Sequence, residues 1–114
     1  MYEERRRFKR VAIESRCWCE GKNVTLYVQI RNASLGGLFI KTHTPFNPGE
    51  QVRVRWSFPA LQGEHEAVMT VVWKRETFHG HDNVPGMGLR FLRVPEETVE
   101  ILRKIVEREP GLPT

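Results

Sequence analysis

Val24-Thr25-Leu26-Tyr27-Val28-Gln29-Ile30-Arg31 alternates apolar and polar side chains without a break. Successive side chains of an extended strand point to opposite faces, so Val24, Leu26, Val28 and Ile30 share one face and Thr25, Tyr27, Gln29 and Arg31 the other. A strand with one apolar face needs neighbours that bury it, and the same period recurs elsewhere. Val52, Val54, Trp56 and Phe58 alternate with Arg53, Arg55 and Ser57, and Met87, Leu89 and Phe91 alternate with Gly88 and Arg90. Segments 11–19, 37–42 and 66–74 are rich in β-branched and aromatic residues. Glu20-Gly21-Lys22-Asn23, Asn47-Pro48-Gly49 and Leu61-Gln62-Gly63 supply turns between them. Six strands without intervening helical patterns predict a mainly all-β chain, its antiparallel sheet closed into a barrel or folded as a sandwich. Closure has the advantage of removing exposed edges.

The pattern changes only at the C-terminal end. Thr98, Ile101, Leu102, Ile105 and Val106 recur at the spacing of an amphipathic helix. Pro95 suits its first turn, Glu96 and Glu97 complement its positive end, and Pro110-Gly111 stops it. This helix is expected to cover one side or mouth of the sheet. The chain of 114 residues has room for one domain. It divides into a basic arm (1–10), a strand-rich body with its helix (11–109) and a tail (110–114) expected to be loose.

Composition excludes several function classes. No apolar run approaches the ~18 residues of a membrane span, and the basic start is not followed by the apolar stretch of a signal peptide, which together favour the cytoplasm. Cys17 and Cys19, two residues apart in a strand, point the same way and read as reduced thiols. His43, His65, His79 and His81 are scattered, so neither a metal nor a cofactor is expected. Ser15, Ser34 and Ser57 lie in no nucleophile motif, and Glu64-His65-Glu66 reads as a solvated strand start, so no enzyme is expected. Phe78-His79-Gly80-His81-Asp82 reads as a solvated connection.

Two short segments carry recognition chemistry. The net charge of +4 is unevenly placed: five of the 18 basic residues are Arg5, Arg6, Arg7, Lys9 and Arg10. A planar guanidinium fork matches two phosphate oxygens, or the O6 and N7 of guanine. Taken alone, such a run at a chain end is a solvated tail. The second segment, Asn32-Ala33-Ser34-Leu35-Gly36-Gly37, joins two predicted strands. Asn32 can accept from a guanine N–H and Ser34 can donate to an oxygen. Gly36 and Gly37 permit positive φ and close backbone approach. Taken alone, this is a hairpin turn.

Together the two segments resemble the paired motifs of PilZ domains: Arg-x-x-x-Arg at Arg6 and Arg10, and Asp/Asn-x-Ser-x-x-Gly at Asn32, Ser34 and Gly37. The resemblance continues through Gly37-Leu38-Phe39-Ile40 and Gly86-Met87-Gly88-Leu89-Arg90-Phe91 to the helix. It implies a six-stranded antiparallel β-barrel with a C-terminal helix, acting as a stand-alone receptor for bacterial cyclic di-GMP. Arg6 and Arg10 would grip phosphates and guanine edges from a flexible arm, helped by Arg5 and Arg7, while Asn32, Ser34 and Gly37 hold the other base. The ligand-ordered arm would then engage a partner protein. Trp73 is either core, if it continues the inward face of Ala67, Met69 and Val71, or a stacking surface for guanine. Trp18 and Trp56 read as packing residues. Two alternatives stay open: a ligand-independent PilZ-like interaction domain, and a small barrel for single-stranded nucleic acid, disfavoured because aromatics do not interleave with basic residues on one face.

Overall fold

Every period-two segment becomes a strand in the computed structural model, which describes residues 8–57, 63–76 and 84–113. The strands are β1 (Val11–Glu20), β2 (Thr25–Ala33), β3 (Gly37–Lys41), β4 (Gln51–Ser57), β5 (Glu64–Arg75) and β6 (Gly86–Arg93), followed by helix α1 (Glu96–Arg108). Neighbours run antiparallel in the order β1-β2-β3-β6-β5-β4, and β4 pairs back onto β1, so the sheet closes into a barrel rather than a sandwich. Arg5, Arg6, Arg7, Phe58, Leu61, Gln62 and the segment 78–82 lie outside the described residues.

Strand parity decides what enters the core. In β1 burial alternates without exception, with Val11, Ile13, Ser15, Cys17 and Cys19 inward. They meet Ile30 of β2, Leu38 and Ile40 of β3, Val52, Val54 and Trp56 of β4, Ala67, Met69 and Val71 of β5, and Met87 and Leu89 of β6. With Cys17 and Cys19 inward, Trp18 must point out, and it is 43% exposed: the packing role expected for it is not realised, whereas Trp56 is core. Val24 also departs from the expected apolar face. Gly21 N–H donates to Val24 O at 2.8 Å, which makes residue 24 part of the turn before β2 and leaves it exposed.

Helix α1 buries Thr98, Leu102 and Val106, with Ile101 and Ile105 at the margin. Pro95 is the N-cap, extended at φ −61° and ψ 146°, rather than a first-turn residue, and its carbonyl accepts Val99 N–H at 3.1 Å. His65 is buried instead of solvated, because β5 turns it inward, where its Nδ1 lies 3.2 Å from Thr98 Oγ1. Gly111 and Leu112 are held against the start of β1. Gly111 forms a β-bridge with Val11, and Leu112 N–H donates to Arg10 O at 2.8 Å.

Burial pushes the thiols of Cys17 and Cys19 up to about 12, in Cys19 with a smaller contribution from its neighbour Cys17. A thiol whose folded value is raised binds its proton more tightly in the native state, so its stabilisation is complete below the ordinary value of 9.0 and is lost as pH rises towards 12. Chemical denaturation should therefore show stability falling above pH 9 by up to about 1.4 kcal/mol per pH unit for each thiol. A Cys17→Ala/Cys19→Ala double variant should lack that slope.

Candidate functional site

The turn between β2 and β3 is built around one hydroxyl. Ser34 is 2% exposed, and its Oγ accepts Gly36 N–H at 3.0 Å and Gly37 N–H at 3.2 Å, while Ser34 N–H donates to Gly37 O at 2.9 Å. The hydroxyl therefore holds the shape of the turn. Neither Gly36 nor Gly37 adopts positive φ. What these positions require is space. A Cβ at Gly37 would lie 1.9 Å from Leu89 O of β6, and one at Gly36 would lie 2.8 Å from the Phe8 ring.

Asn32 sits at the end of β2, opposite Ala12 of β1 and Phe39 of β3. Its Oδ1 accepts Arg10 Nη1 at 2.7 Å, so the arm and the turn, which the sequence sets apart until a ligand joins them, touch through their own side chains. This contact stands on the rim of an open groove of about 430 Å³. Arg10, Ala12, Glu14, Arg31, Asn32, Phe39, Trp73, Arg75, Val84 and Leu112 line it.

Trp73 reaches this groove because β5 breaks step. Val71 pairs with Leu89 but Trp73 pairs with Gly88, so one extra residue is inserted between them and the alternation that would carry Trp73 into the core is reversed. The indole lies across Gly88, where a Cβ would be 2.2 Å from Nε1, and the Phe39 ring lies across Gly86, where a Cβ would be 2.7 Å from it. The two rings stack at 5.4 Å and 14°. The Arg75 guanidinium lies over both, 5.2 Å from the Trp73 centroid and 5.8 Å from that of Phe39, and donates to Val84 O at 3.3 Å. The outer wall of the groove is thus a guanidinium backed by two rings.

The structure brings together Arg10, Asn32 and Trp73 among the residues singled out from sequence, sets Ser34, Gly36 and Gly37 beneath or beside them, and does not describe Arg5, Arg6 and Arg7. It adds Arg31, Phe39, Arg75 and Leu112. Arg31 could have been found from its polar-face parity and Arg75 from its place beside Trp73. Leu112 carries no local signal, because its position depends on the pairing of chain ends.

The sequence model of the PilZ domain matches residues 4–108. Among solved structures, the chain superposes on the Bacillus subtilis inhibitor of motility (MotI/DgrA) with a TM-score of 0.73 and 16% identity, over 89% of this chain and 49% of that one. It thus spans about half the length of that protein. It superposes on the PilZ domain of Escherichia coli YcgR, solved with c-di-GMP, with a TM-score of 0.67 and 21% identity, over 90% of this chain and 89% of that one. No curated protein sequence matches it. The likeness to the solved structures is one of fold, whereas the family match runs from the arm through the barrel to the end of α1, and by it the chain belongs to the PilZ domain family.

Proposed function

We propose that this chain is a cytoplasmic receptor for cyclic di-GMP that regulates a partner protein, and that it is not an enzyme. The observation that carries the reading is the Arg10–Asn32 contact at 2.7 Å, which joins the two motifs on the rim of a groove containing Arg31, Arg75 and Trp73. Three guanidinium groups around one groove suit a ligand with two phosphates and two guanine edges. Arg10 grips a phosphate or the O6/N7 edge of guanine. The second lone pair of Asn32 Oδ1 accepts from a guanine N–H, and Ser34 and Gly37 act as positioning residues by fixing the turn that presents Asn32. A guanine face stacks on the Arg75 and Trp73 wall. Arg5, Arg6 and Arg7 close over the outer side, so ligand binding orders the arm and presents a new surface to the partner. Of the described residues, none forms a helix long and apolar enough to cross a membrane.

Isothermal titration with cyclic di-GMP, run beside GTP, tests the reading. Saturable heat for the cyclic dinucleotide alone supports it, and no heat transfers the protein to the ligand-independent interaction class. Asn32→Asp should tighten binding about fivefold. A carboxylate accepts guanine N–H groups roughly twice as strongly as a neutral carbonyl, a gain of about 1 kcal/mol.

A further inference from the structure

We propose that Phe8 is the positioning residue of the arm: its ring docks on Gly36 and, by contacts internal to the protein, holds residues 8–10 so that Arg10 is aimed at the groove. Gly36 fills one of the variable positions of the Asn-x-Ser-x-x-Gly turn, yet the structure gives a reason for glycine there. Its φ is not positive, so the backbone conformation does not demand it. Space does. A Cβ at this residue would lie 2.8 Å from Phe8 Cδ2 and 3.2 Å from Phe8 Cε2, so the ring occupies the volume that another residue's side chain would take. Phe8 is accordingly half-buried although it precedes every strand.

The platform under the ring is fixed on both sides. Gly36 N–H donates to the buried Ser34 Oγ at 3.0 Å, and Gly36 O accepts Phe91 N–H of β6 at 3.1 Å. Beyond Phe8 the chain is held residue by residue. The Lys9 stem lies against Gly111, where a Cβ would be 3.3 Å from Lys9 Cγ. Arg10 O accepts Leu112 N–H at 2.8 Å, and Arg10 Nη1 donates to Asn32 Oδ1 at 2.7 Å. The arm therefore has a docked stem, residues 8–10, and Phe8 stands two residues from each arginine of the Arg-x-x-x-Arg pair, Arg6 and Arg10. A stem without this anchor has to be ordered at the moment of binding, and that ordering subtracts from affinity. Docking on Gly36 meets the cost during folding instead. The consequence for the nucleotide rests on the cyclic di-GMP reading, whereas the anchoring does not.

The test measures amide order by heteronuclear NOE in the full chain alone, and affinity by calorimetric titration with cyclic di-GMP, for the parent, Phe8→Ala, Gly36→Ala, their double variant and Phe8→Leu. Expected are NOE values at positions 8 and 9 that match those of β1 in the parent and fall in Phe8→Ala and in Gly36→Ala, with melting curves little changed. Kd should rise about tenfold in either single variant, the equivalent of freeing about one residue's backbone. The double variant should lose no more than either single one, because both remove the same contact, and Phe8→Leu should recover most of the loss. Amides at positions 8 and 9 as mobile in the parent as in the variants, a parental Kd in Phe8→Ala or in Gly36→Ala, or single losses that multiply in the double variant would each overturn the proposal. No heat from the parent chain would instead remove the nucleotide reading, and the amide signals, which need no ligand, then decide the anchoring alone.

Discussion

Replacing Arg10 with alanine weakens cyclic di-GMP binding about a hundredfold or more in calorimetric titration, with little change in the melting curve. Charge-assisted hydrogen bonds contribute ~1.5–3 kcal/mol each, and a guanidinium fork makes two, so the loss exceeds the ~2.7 kcal/mol that corresponds to a hundredfold. The structural cost is expected to be small because Arg10 precedes β1 and its partner Asn32 is only half-buried, within reach of water. Arg10→Lys should recover a minor part of the loss, since an ammonium supplies the charge without the fork. The double variant Arg10→Ala/Asn32→Ala should bind no worse than the product of the single losses and better than that product if the two side chains grip the ligand as a unit.

The largest stability effect is expected at Gly37. Its Cβ would fall 1.9 Å from Leu89 O, an atom of the paired β6 backbone that cannot move without opening the β3–β6 ladder. Overpacking of this kind costs ~1–3 kcal/mol and each lost ladder bond about 1 kcal/mol more, so Gly37→Ala should lose about 3 kcal/mol in urea denaturation. Gly36→Ala is the control. Its new Cβ clashes with the Phe8 ring, at 2.8 Å, a side chain rather than a paired backbone, and otherwise meets Ser34 Oγ at an ordinary 3.6 Å, so the loss should stay below about 1 kcal/mol. The contrast separates two adjacent glycines that look equivalent in the sequence, and it explains why a motif glycine is required at 37 without appeal to positive φ.

The barrel was legible because each of its six strands shows the period of two or a run rich in β-branched and aromatic residues, and because the partners that bury them are other strands. The sequence leaves the facing of a side chain open where pairing breaks that period. The inserted residue between Val71 and Trp73 moves the indole from core to surface, and a bulge is a property of two strands together, invisible in either alone. The same parity argument, applied to β1 with its two inward cysteines, places Trp18 outside, against its hydrophobic character. At the site, the motif residues Arg10 and Asn32 were legible as types, and their contact was not, since 22 residues separate them in sequence. The part Ser34 plays in the turn was hidden because a hydroxyl there suits both a ligand and the turn itself, and only its burial and its two backbone donors reveal the second role. The docking of Leu112 on Arg10 was hidden for a third reason: a single bridge between chain ends leaves no periodicity.

The most direct test of the central claim is a titration of the isotope-labelled chain with cyclic di-GMP, followed through its amide, indole and guanidinium N–H signals. The account predicts saturable shifts at the Arg10 guanidinium, the Asn32 side-chain amide and the Trp73 indole, with the Trp18 indole unmoved. Saturable binding that shifts Trp18 and leaves Arg10, Asn32 and Trp73 in place would contradict it.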